Sequence, residues 1–278
     1  MNIELLLSDF EKRGRNGDNA FIGITSRHQI RIDINKRVKY PATINQGYSS
    51  LCGPTVFLQC IAKTHPEIYV RYIIDLFEKG EASIGKLKVK PGSDCKSLFK
   101  KNITRQVMTK IDWIGLASLR DSSNIFFDYG KPSDEFAGIT TPGCLAGWFK
   151  KTGLFNNVIN NTNLIFDKSS ENLLEANKYR KEGYQVCLFL GSKILYTSNA
   201  FKLKKGTVPA DHWAILNSQI LLNRMPTPIC TEKLGIEDKK ISFNLQTWGE
   251  AEYPVTKINP QLKVSEFLDY YYGYVCVK

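Results

Sequence analysis

The segment from Asn45 to Thr55 constrains this chain more than any other part of its sequence. It places Cys52 where a turn rich in glycine and serine gives way to an apolar run that is typical of a helix. The N-terminus of a helix carries unsatisfied N–H groups and partial positive charge. A thiol in that position ionises more readily, and the thiolate is its reactive form. The segment therefore predicts a nucleophilic cysteine at the start of a helix.

A glutamine, Gln46, stands six residues before this cysteine. Its side-chain amide could donate a hydrogen bond to a developing oxyanion, beside the backbone N–H of Cys52. A turn residue without a chemical role is an equally good interpretation of Gln46. If the amide does serve the oxyanion, one short segment supplies the nucleophile, the dipole and the oxyanion donors, and only the base is missing.

The base must be one of three histidines. A catalytic histidine needs a rigid and only partly hydrated position. His28 lies in a basic, polar stretch and His65 precedes a proline, so we expect both at the surface. His212 opens the run Trp213–Asn217, which is typical of a buried strand. We therefore predict His212 as the base, with the side chain of Asp211 pointing away from the site.

A third group usually orients the imidazole of a catalytic histidine. The next strand-like run is Ile241–Gly249, and its alternation puts Ser242, Asn244 and Gln246 on one face. Either Asn244 or Gln246 could accept a hydrogen bond from the imidazole. A neutral amide is sufficient for orientation, although it stabilises an imidazolium less than a carboxylate does.

Four groups of residues thus follow one another along the chain: Gln46, Cys52-Gly53-Pro54, His212-Trp213-Ala214 and Gln246-Thr247-Trp248-Gly249. This order resembles that of the papain-like (clan CA) cysteine hydrolases, whose third residue lies in an Asn-Ser-Trp-Gly stretch. The Cys-Gly-Pro form is similar to C39-like cysteine peptidases and to toxin or effector domains that bacteria inject into other cells. The resemblance covers three short islands, the first of which holds both Gln46 and Cys52-Gly53-Pro54, rather than the whole chain.

The resemblance implies a papain-like α+β fold in one domain, residues 1–278, with a helical half packed against an antiparallel β-sheet half. An N-terminal helix and strands are expected in residues 1–45, the helical half in 46–160 and the sheet half in 161–278. Period-two patterns predict the strands of the sheet. They are Gln185–Leu190, Leu195–Tyr196, Trp213–Asn217, Ile241–Leu245 and Tyr274–Val277.

The resemblance also assigns the site. It implies Cys52, His212 and Gln246 as catalytic residues and Gln46 as oxyanion donor, with Asn244 as the alternative third member. Trp248, Gly53 and Trp213 would bind substrate or shield the site, and we expect Trp248 to cover the third residue. The chain departs from the family at that residue, which is usually Asn or Asp, although some related effector deamidases use Cys-His-Gln. No metal and no cofactor are expected.

The implied chemistry is acyl transfer on an amide bond of a protein or peptide-like substrate. A protease or amidohydrolase toxin acting in a recipient cell is the first hypothesis, with an immunity protein or a delivery machinery as possible partners. The alternatives are a peptidoglycan amidase, a glutamine deamidase or transglutaminase, and a non-enzymatic basic adaptor or nucleic-acid-binding protein.

Composition limits the partners and the cellular compartments that this chain is expected to have. The net charge of +11 is compatible with nucleic acid, but no nucleic-acid motif accompanies it, so such binding is not expected as the main function. The hydrophobic content of 42% excludes global disorder, and no apolar run is long enough to span a membrane. The N-terminus has no Sec signal pattern, so we expect a cytoplasmic product in the producing cell. The resemblance to injected toxin domains implies its delivery by a specialised secretion system. Seven cysteines without a CxxC pair favour a reducing compartment over a disulfide framework.

Overall fold

The computed structural model describes residues 2–14, 19–98, 108–123, 140–163, 169–197, 210–227 and 235–278. It is a mixed protein of helices and antiparallel strands, in agreement with the α+β class. The described chain divides into two compact units, one made of Met1–Thr141 with Lys151–Leu154 and one of Pro142–Lys150 with Phe155–Lys278. A single domain over residues 1–278 stays a prediction. Within the described ranges, no helix is long and apolar enough to cross a lipid bilayer.

The first unit is mainly helical. Its helices are α1 Ile3–Lys12, α2 Arg27–Lys39, α3 Cys52–Thr64, α4 Pro66–Lys79, α5 Ser93–Ser97, α6 Lys110–Asp112 and α7 Ser118–Ser123. A 3-10 turn, Pro41–Thr43, precedes α3, and a π-helical segment, Trp113–Ala117, joins α6 to α7. The strands β1 Ala82–Ile84 and β2 Leu87–Val89 form an antiparallel hairpin.

The predicted helix at the cysteine is confirmed. Helix α3 begins at Cys52, and every residue from Cys52 to Ala62 is buried. Helix α4 follows after a single residue, because Pro66 suits the first turn of a helix. It ends at Gly80, whose φ of 71° lies in the left-handed region that glycine adopts most easily.

The strands predicted in residues 1–45 are wrong, because the described part of this range holds helices α1 and α2. The hydroxyl of Ser26 caps α2 by accepting a hydrogen bond from the backbone N–H of Gln29 at 3.1 Å. The buried residues of α2 have helical spacing, but two of the four are arginines: Arg27, Ile30, Ile34 and Arg37. An apolar periodicity cannot reveal such a stripe, since half of it is charged.

Both arginines have partners that compensate for their burial. Arg37 donates two hydrogen bonds, each of 2.8 Å, to the carboxylate of Asp112 in α6. Burial disfavours the guanidinium, but the hydrogen bonds and charge of Asp112 outweigh that effect and raise the pKa of Arg37. The guanidinium of Arg27 lies over the rings of Phe10 and Phe77, 5.0 and 5.4 Å from their centroids. These contacts join α2 to α1, α4 and α6.

The second unit is built on a large antiparallel sheet. Its strands are β3 Val158–Thr162, β4 Gln185–Leu190, β5 His212–Leu216, β9 Asn244–Thr247, β10 Glu250–Pro254 and β11 Tyr271–Val277. They form six strands in the order β10-β9-β5-β4-β11-β3. A smaller sheet holds β6 Leu221–Leu222, β7 Met225–Pro226 and β8 Ile241–Ser242. The remaining helices are α8 Pro142–Thr152, α9 Ser170–Lys181, α10 Lys193–Tyr196 and α11 Val264–Leu268.

Two predicted strands need correction. Leu195–Tyr196 lies in the short helix α10, whose start is fixed by Asp211. The carboxylate of Asp211 accepts hydrogen bonds from the backbone N–H and the hydroxyl of Ser192, at 2.6 and 2.9 Å. The run Ile241–Leu245 divides between β8 and β9, with the buried Phe243 between them. The other predicted strands are confirmed: Gln185–Leu190, Trp213–Asn217 and Tyr274–Val277.

One face of the large sheet forms the hydrophobic core of the second unit. Alternate residues of the central strands contribute to it: Leu188, Leu190, Ala214, Leu216 and Leu245. Leucines of α9 and aromatic residues of α11 and β11 complete the same cluster. Because side chains alternate along a strand, this core fixes the register of β5 against β9.

Breaking the buried ion pair of α2 should destabilise the protein strongly. Arg37→Met leaves the carboxylate of Asp112 buried without its main partner, and we expect a loss of about 3–5 kcal/mol in the free energy of unfolding. The double variant Arg37→Met/Asp112→Leu should recover part of this loss, because no unpaired charge remains. Urea denaturation measures both. The exposed neighbour Lys36 provides the control, since Lys36→Met should change stability by less than about 0.5 kcal/mol. Equal losses for Arg37→Met and Lys36→Met would contradict the role of the pair.

Candidate active site

The predicted nucleophile stands at the first residue of α3. Cys52 is 5% exposed, and Leu51, which precedes it, provides no side-chain cap for the helix. The positive end of α3 is therefore not neutralised by a capping side chain, which is the environment that favours a thiolate. The structure confirms the predicted local setting of the cysteine.

The glycine after the cysteine is required by packing. A Cβ on Gly53 would lie 2.3–2.7 Å from the side-chain atoms of Thr140, closer than atoms can approach. Gly53 therefore lets Thr140 lie directly against the first turn of α3. The proposed contact of Gly53 with substrate stays a prediction.

The side chain of Gln46 closes the turn that leads to α3. Its Nε2 donates a hydrogen bond of 2.8 Å to the carbonyl oxygen of Ser49. The carbonyl oxygen of Gln46 in turn accepts from the hydroxyl of Ser49 at 2.7 Å. The turn interpretation of Gln46 is confirmed. The amide carries a second N–H, so an additional oxyanion role stays a prediction.

The predicted base begins β5 in the second unit. His212 is 4% exposed, and its Nε2 lies 2.7 Å from the hydroxyl oxygen of Thr247. Burial lowers the pKa of His212 from 6.5 to about 4, because the charged form loses its hydration. The imidazole is therefore neutral at pH 7, the protonation state in which it can accept a proton.

The sheet register places neither Asn244 nor Gln246 on the face of the sheet that carries the imidazole. Gln246 pairs with Ile215 across β5 and β9, so both side chains point to one face of the sheet. His212 is three residues before Ile215 and points to the opposite face. Asn244 shares the face of Gln246 for the same reason. The amide nitrogen of Gln246 is buried and has no hydrogen-bond partner within the described residues.

The indole of Trp248 covers the imidazole. The two ring centroids are 5.0 Å apart, and Tyr253 packs edge-on against the indole at 5.3 Å. Trp248 and Gly249 form the two-residue turn between β9 and β10, with φ of 50° and 83°. Such a turn prefers Asn-Gly, and a tryptophan at positive φ costs roughly 1–2 kcal/mol. The sequence predicts that the indole covers the third residue, but it covers His212 instead, and a shielding role of Trp248 in catalysis stays a prediction.

Trp213 and Asp211 have structural roles. Trp213 is 1% exposed and stacks on Phe189 at a centroid distance of 4.4 Å, so it serves packing rather than substrate contact. Asp211 fixes the start of α10, as described above, because its carboxylate accepts hydrogen bonds from Ser192. Neither residue contributes to the chemistry of the histidine.

The other histidines and cysteines lie elsewhere. His28 is exposed on α2 and contacts Glu11, whereas His65 is half-buried between α3 and α4 and contacts Thr64. Five of the six described cysteines are buried, and Cys230 lies outside the described residues. In the part of the chain that the structure describes, no group of three or more His, Cys, Asp or Glu residues could hold a metal ion.

No protein-family model matches this chain, and neither the curated proteins nor the solved structures compared with it give a significant match. A functional assignment therefore depends on the chemistry of the residues described above.

The depressed pKa of His212 predicts a pH-dependent stability. Between pH 6.5 and about 4 the unfolded chain protonates this histidine and the folded protein does not. The free energy of unfolding should therefore fall as the pH decreases through this window, by up to roughly 3 kcal/mol, and this group should contribute no pH dependence above it.

Urea denaturation at both ends of the window measures this effect. In His212→Gln the corresponding part of the pH dependence should disappear. Trp213→Phe is the control, because it disturbs the same strand without removing a titrating group and should destabilise equally at both pH values. An unchanged pH dependence in His212→Gln would contradict the assignment.

Proposed function

We propose that this protein is a papain-like cysteine hydrolase in which Cys52 is the nucleophile and His212 is the general base. The observation that carries the proposal is the environment of His212. A buried neutral imidazole is fixed by one hydroxyl and covered by an indole in a strained turn, and such costly arrangements are typical of functional sites. The uncapped helix that begins at Cys52, together with the order of the four motifs, supports the same proposal.

The mechanism follows from the neutral imidazole. The ring nitrogen of His212 takes the thiol proton of Cys52 as the sulfur attacks the carbonyl carbon of an amide. The carbonyl oxygen becomes an oxyanion, which backbone N–H groups at the start of α3 and the second N–H of Gln46 stabilise. The imidazolium then protonates the leaving amine, and a thioester remains on Cys52. Water, deprotonated by His212, hydrolyses the thioester and restores the thiol.

We infer a protein substrate and a toxin or effector role from the resemblance to injected bacterial domains. Delivery would use a specialised secretion system, and an immunity protein would protect the producing cell. Peptidoglycan amidase, deamidase and transglutaminase activities use the same nucleophile and base. They differ in which amide enters and in whether water or an amine takes the acyl group.

Expression in the cytosol of a bacterial host tests the proposal. Wild type should arrest growth, whereas Cys52→Ser and His212→Ala should be harmless at matched protein levels. A mass-spectrometric search for new protein termini then identifies a protease, and deamidated glutamines identify a deamidase. Growth arrest only on export to the periplasm would favour the peptidoglycan amidase.

Cys144→Ser is the control for the loss of a thiol, because this half-buried cysteine has no part in the proposed chemistry and its removal should leave the toxicity unchanged. If Cys52→Ser and His212→Ala were as toxic as wild type, the proposed pair would not be the source of the activity.

A basic pocket in the first unit supports a second candidate, a protein that binds an anionic partner. The pocket has a volume of about 670 Å³ and lies between α4 and the β1–β2 hairpin. Four cations and two carboxylates line it: Arg71, Lys79, Lys88, Lys90, Asp75 and Glu81. Asp75 pairs with Lys79 at 2.7 Å and Glu81 with Lys90 at 3.1 Å, so the lining keeps an excess of positive charge.

A salt titration distinguishes this candidate from non-specific attraction. A fluorescent single-stranded oligonucleotide is the probe, and its affinity should fall steeply between about 50 and 200 mM salt. Lys88→Glu/Lys90→Glu should weaken binding by about tenfold or more, and Lys36→Glu/Lys39→Glu on α2 is the control of equal charge. Equal weakening by both pairs would indicate diffuse attraction to the net charge of +11 and would reject the pocket.

A further inference from the structure

We propose that Thr247 is the positioning residue of His212, and that its hydroxyl selects the ring nitrogen that acts as the base. The inference deepens the proposed function and rests on it, because the positioning matters only if His212 is a base. In this proposal the hydroxyl of Thr247 takes the orienting role that the sequence motif assigns to the amide of Gln246.

The register of the sheet explains why the hydroxyl and not the amide reaches the imidazole. Because Gln246 pairs with Ile215, Thr247 stands opposite Ala214 and on the same face as His212. His212 and Thr247 are diagonal neighbours, and Nε2 and Oγ1 are 2.7 Å apart. For Gln246 to take this position, β9 would have to shift by one residue, which would move the fully buried Leu245 out of the core.

Burial makes the contact selective. His212 and Thr247 are 4% and 3% exposed, so bulk water does not compete for either polar atom. No other hydrogen bond of the Thr247 hydroxyl is present among the described residues. The imidazole therefore depends on this one contact at Nε2, and the indole of Trp248 lies against the ring with the two centroids 5.0 Å apart.

The direction of this hydrogen bond determines which ring nitrogen of His212 can act as the base. A hydroxyl can donate or accept, so the direction of this hydrogen bond belongs to the proposal: Nε2–H donates to the hydroxyl of Thr247, and the lone pair of the neutral imidazole remains on Nδ1. Nδ1 is then the atom that accepts the thiol proton. A carboxylate in this place would favour a resting imidazolium, whereas an uncharged hydroxyl does not. The neutral imidazole can then accept the thiol proton, whose release the uncapped N-terminus of α3 assists.

Nitrogen NMR on the protein labelled with 15N-histidine tests the assignment. Wild type at neutral pH should show a protonated Nε2 and an unprotonated Nδ1 for His212. Thr247→Ser keeps the hydroxyl and should keep this pattern. Thr247→Val keeps the shape but removes the hydroxyl, so the two tautomers should mix. Gln246→Leu removes the amide that the motif indicates and should leave the pattern unchanged.

The reactivity of Cys52 provides the second readout. The rate of its alkylation by iodoacetamide should fall by about tenfold or more in Thr247→Val, and it should stay within about twofold of wild type in Thr247→Ser and Gln246→Leu. Circular dichroism verifies that each variant is folded, and Thr247→Ser remains informative if Thr247→Val does not fold.

The outcomes separate the two proposals. A protonated Nδ1 in wild type, or a tautomer that responds to Gln246→Leu and not to Thr247→Val, overturns the role of Thr247. If His212→Ala alkylates as fast as wild type, the pairing of Cys52 with His212 fails, while the NMR result on Thr247 still stands or falls independently.

Discussion

The register between β5 and β9 is the constraint on which the histidine site depends. The hydrophobic core fixes it, because Leu216 and Leu245 are paired and both are buried. Side chains alternate along each strand, so this pairing also decides which polar residues can meet His212. The position of the imidazole is thus determined by the packing of core residues in the same strand and in the neighbouring strand.

In the first unit, helix α2 is packed with charged residues on its buried face. Arg37 and Asp112 form a compact ion pair, and Arg27 lies between two phenylalanine rings. Apolar residues of similar volume would stabilise the fold as well or better, because they would avoid the free-energy cost of desolvating the cations. Directional partners do, however, specify one orientation of α2 against its neighbours. We expect that specificity to matter for the segment Pro41–Thr43, which leads from α2 towards the turn before Cys52.

Much of the fold is predictable from the sequence where apolar spacing and capping residues agree. Helices α3 and α4 and strands β4 and β5 have continuous apolar patterns, and their ends carry proline, glycine or polar residues. Helix α2 is not predictable in this way, because its inner stripe contains two arginines. The site divides similarly. A motif predicts Cys52 and His212 as a catalytic pair, but the neighbour of the imidazole depends on which face of the sheet each residue occupies. Side chains two residues apart share a face of a strand, so the buried Leu245 predicts that Thr247 faces the imidazole. Alignment with the Asn-Ser-Trp-Gly stretch predicts Gln246 in that place instead.

At the turn Trp248-Gly249, the residue that covers the imidazole of His212 is not the residue that suits the backbone best. Asparagine at position 248 would relax the backbone and remove the indole, so selection for stability and selection for a covered imidazole favour different residues there. A library screened only for thermal resistance should therefore accumulate substitutions at this turn. Under the proposed function, Trp248 destabilises the turn locally but keeps water away from His212, the proposed base.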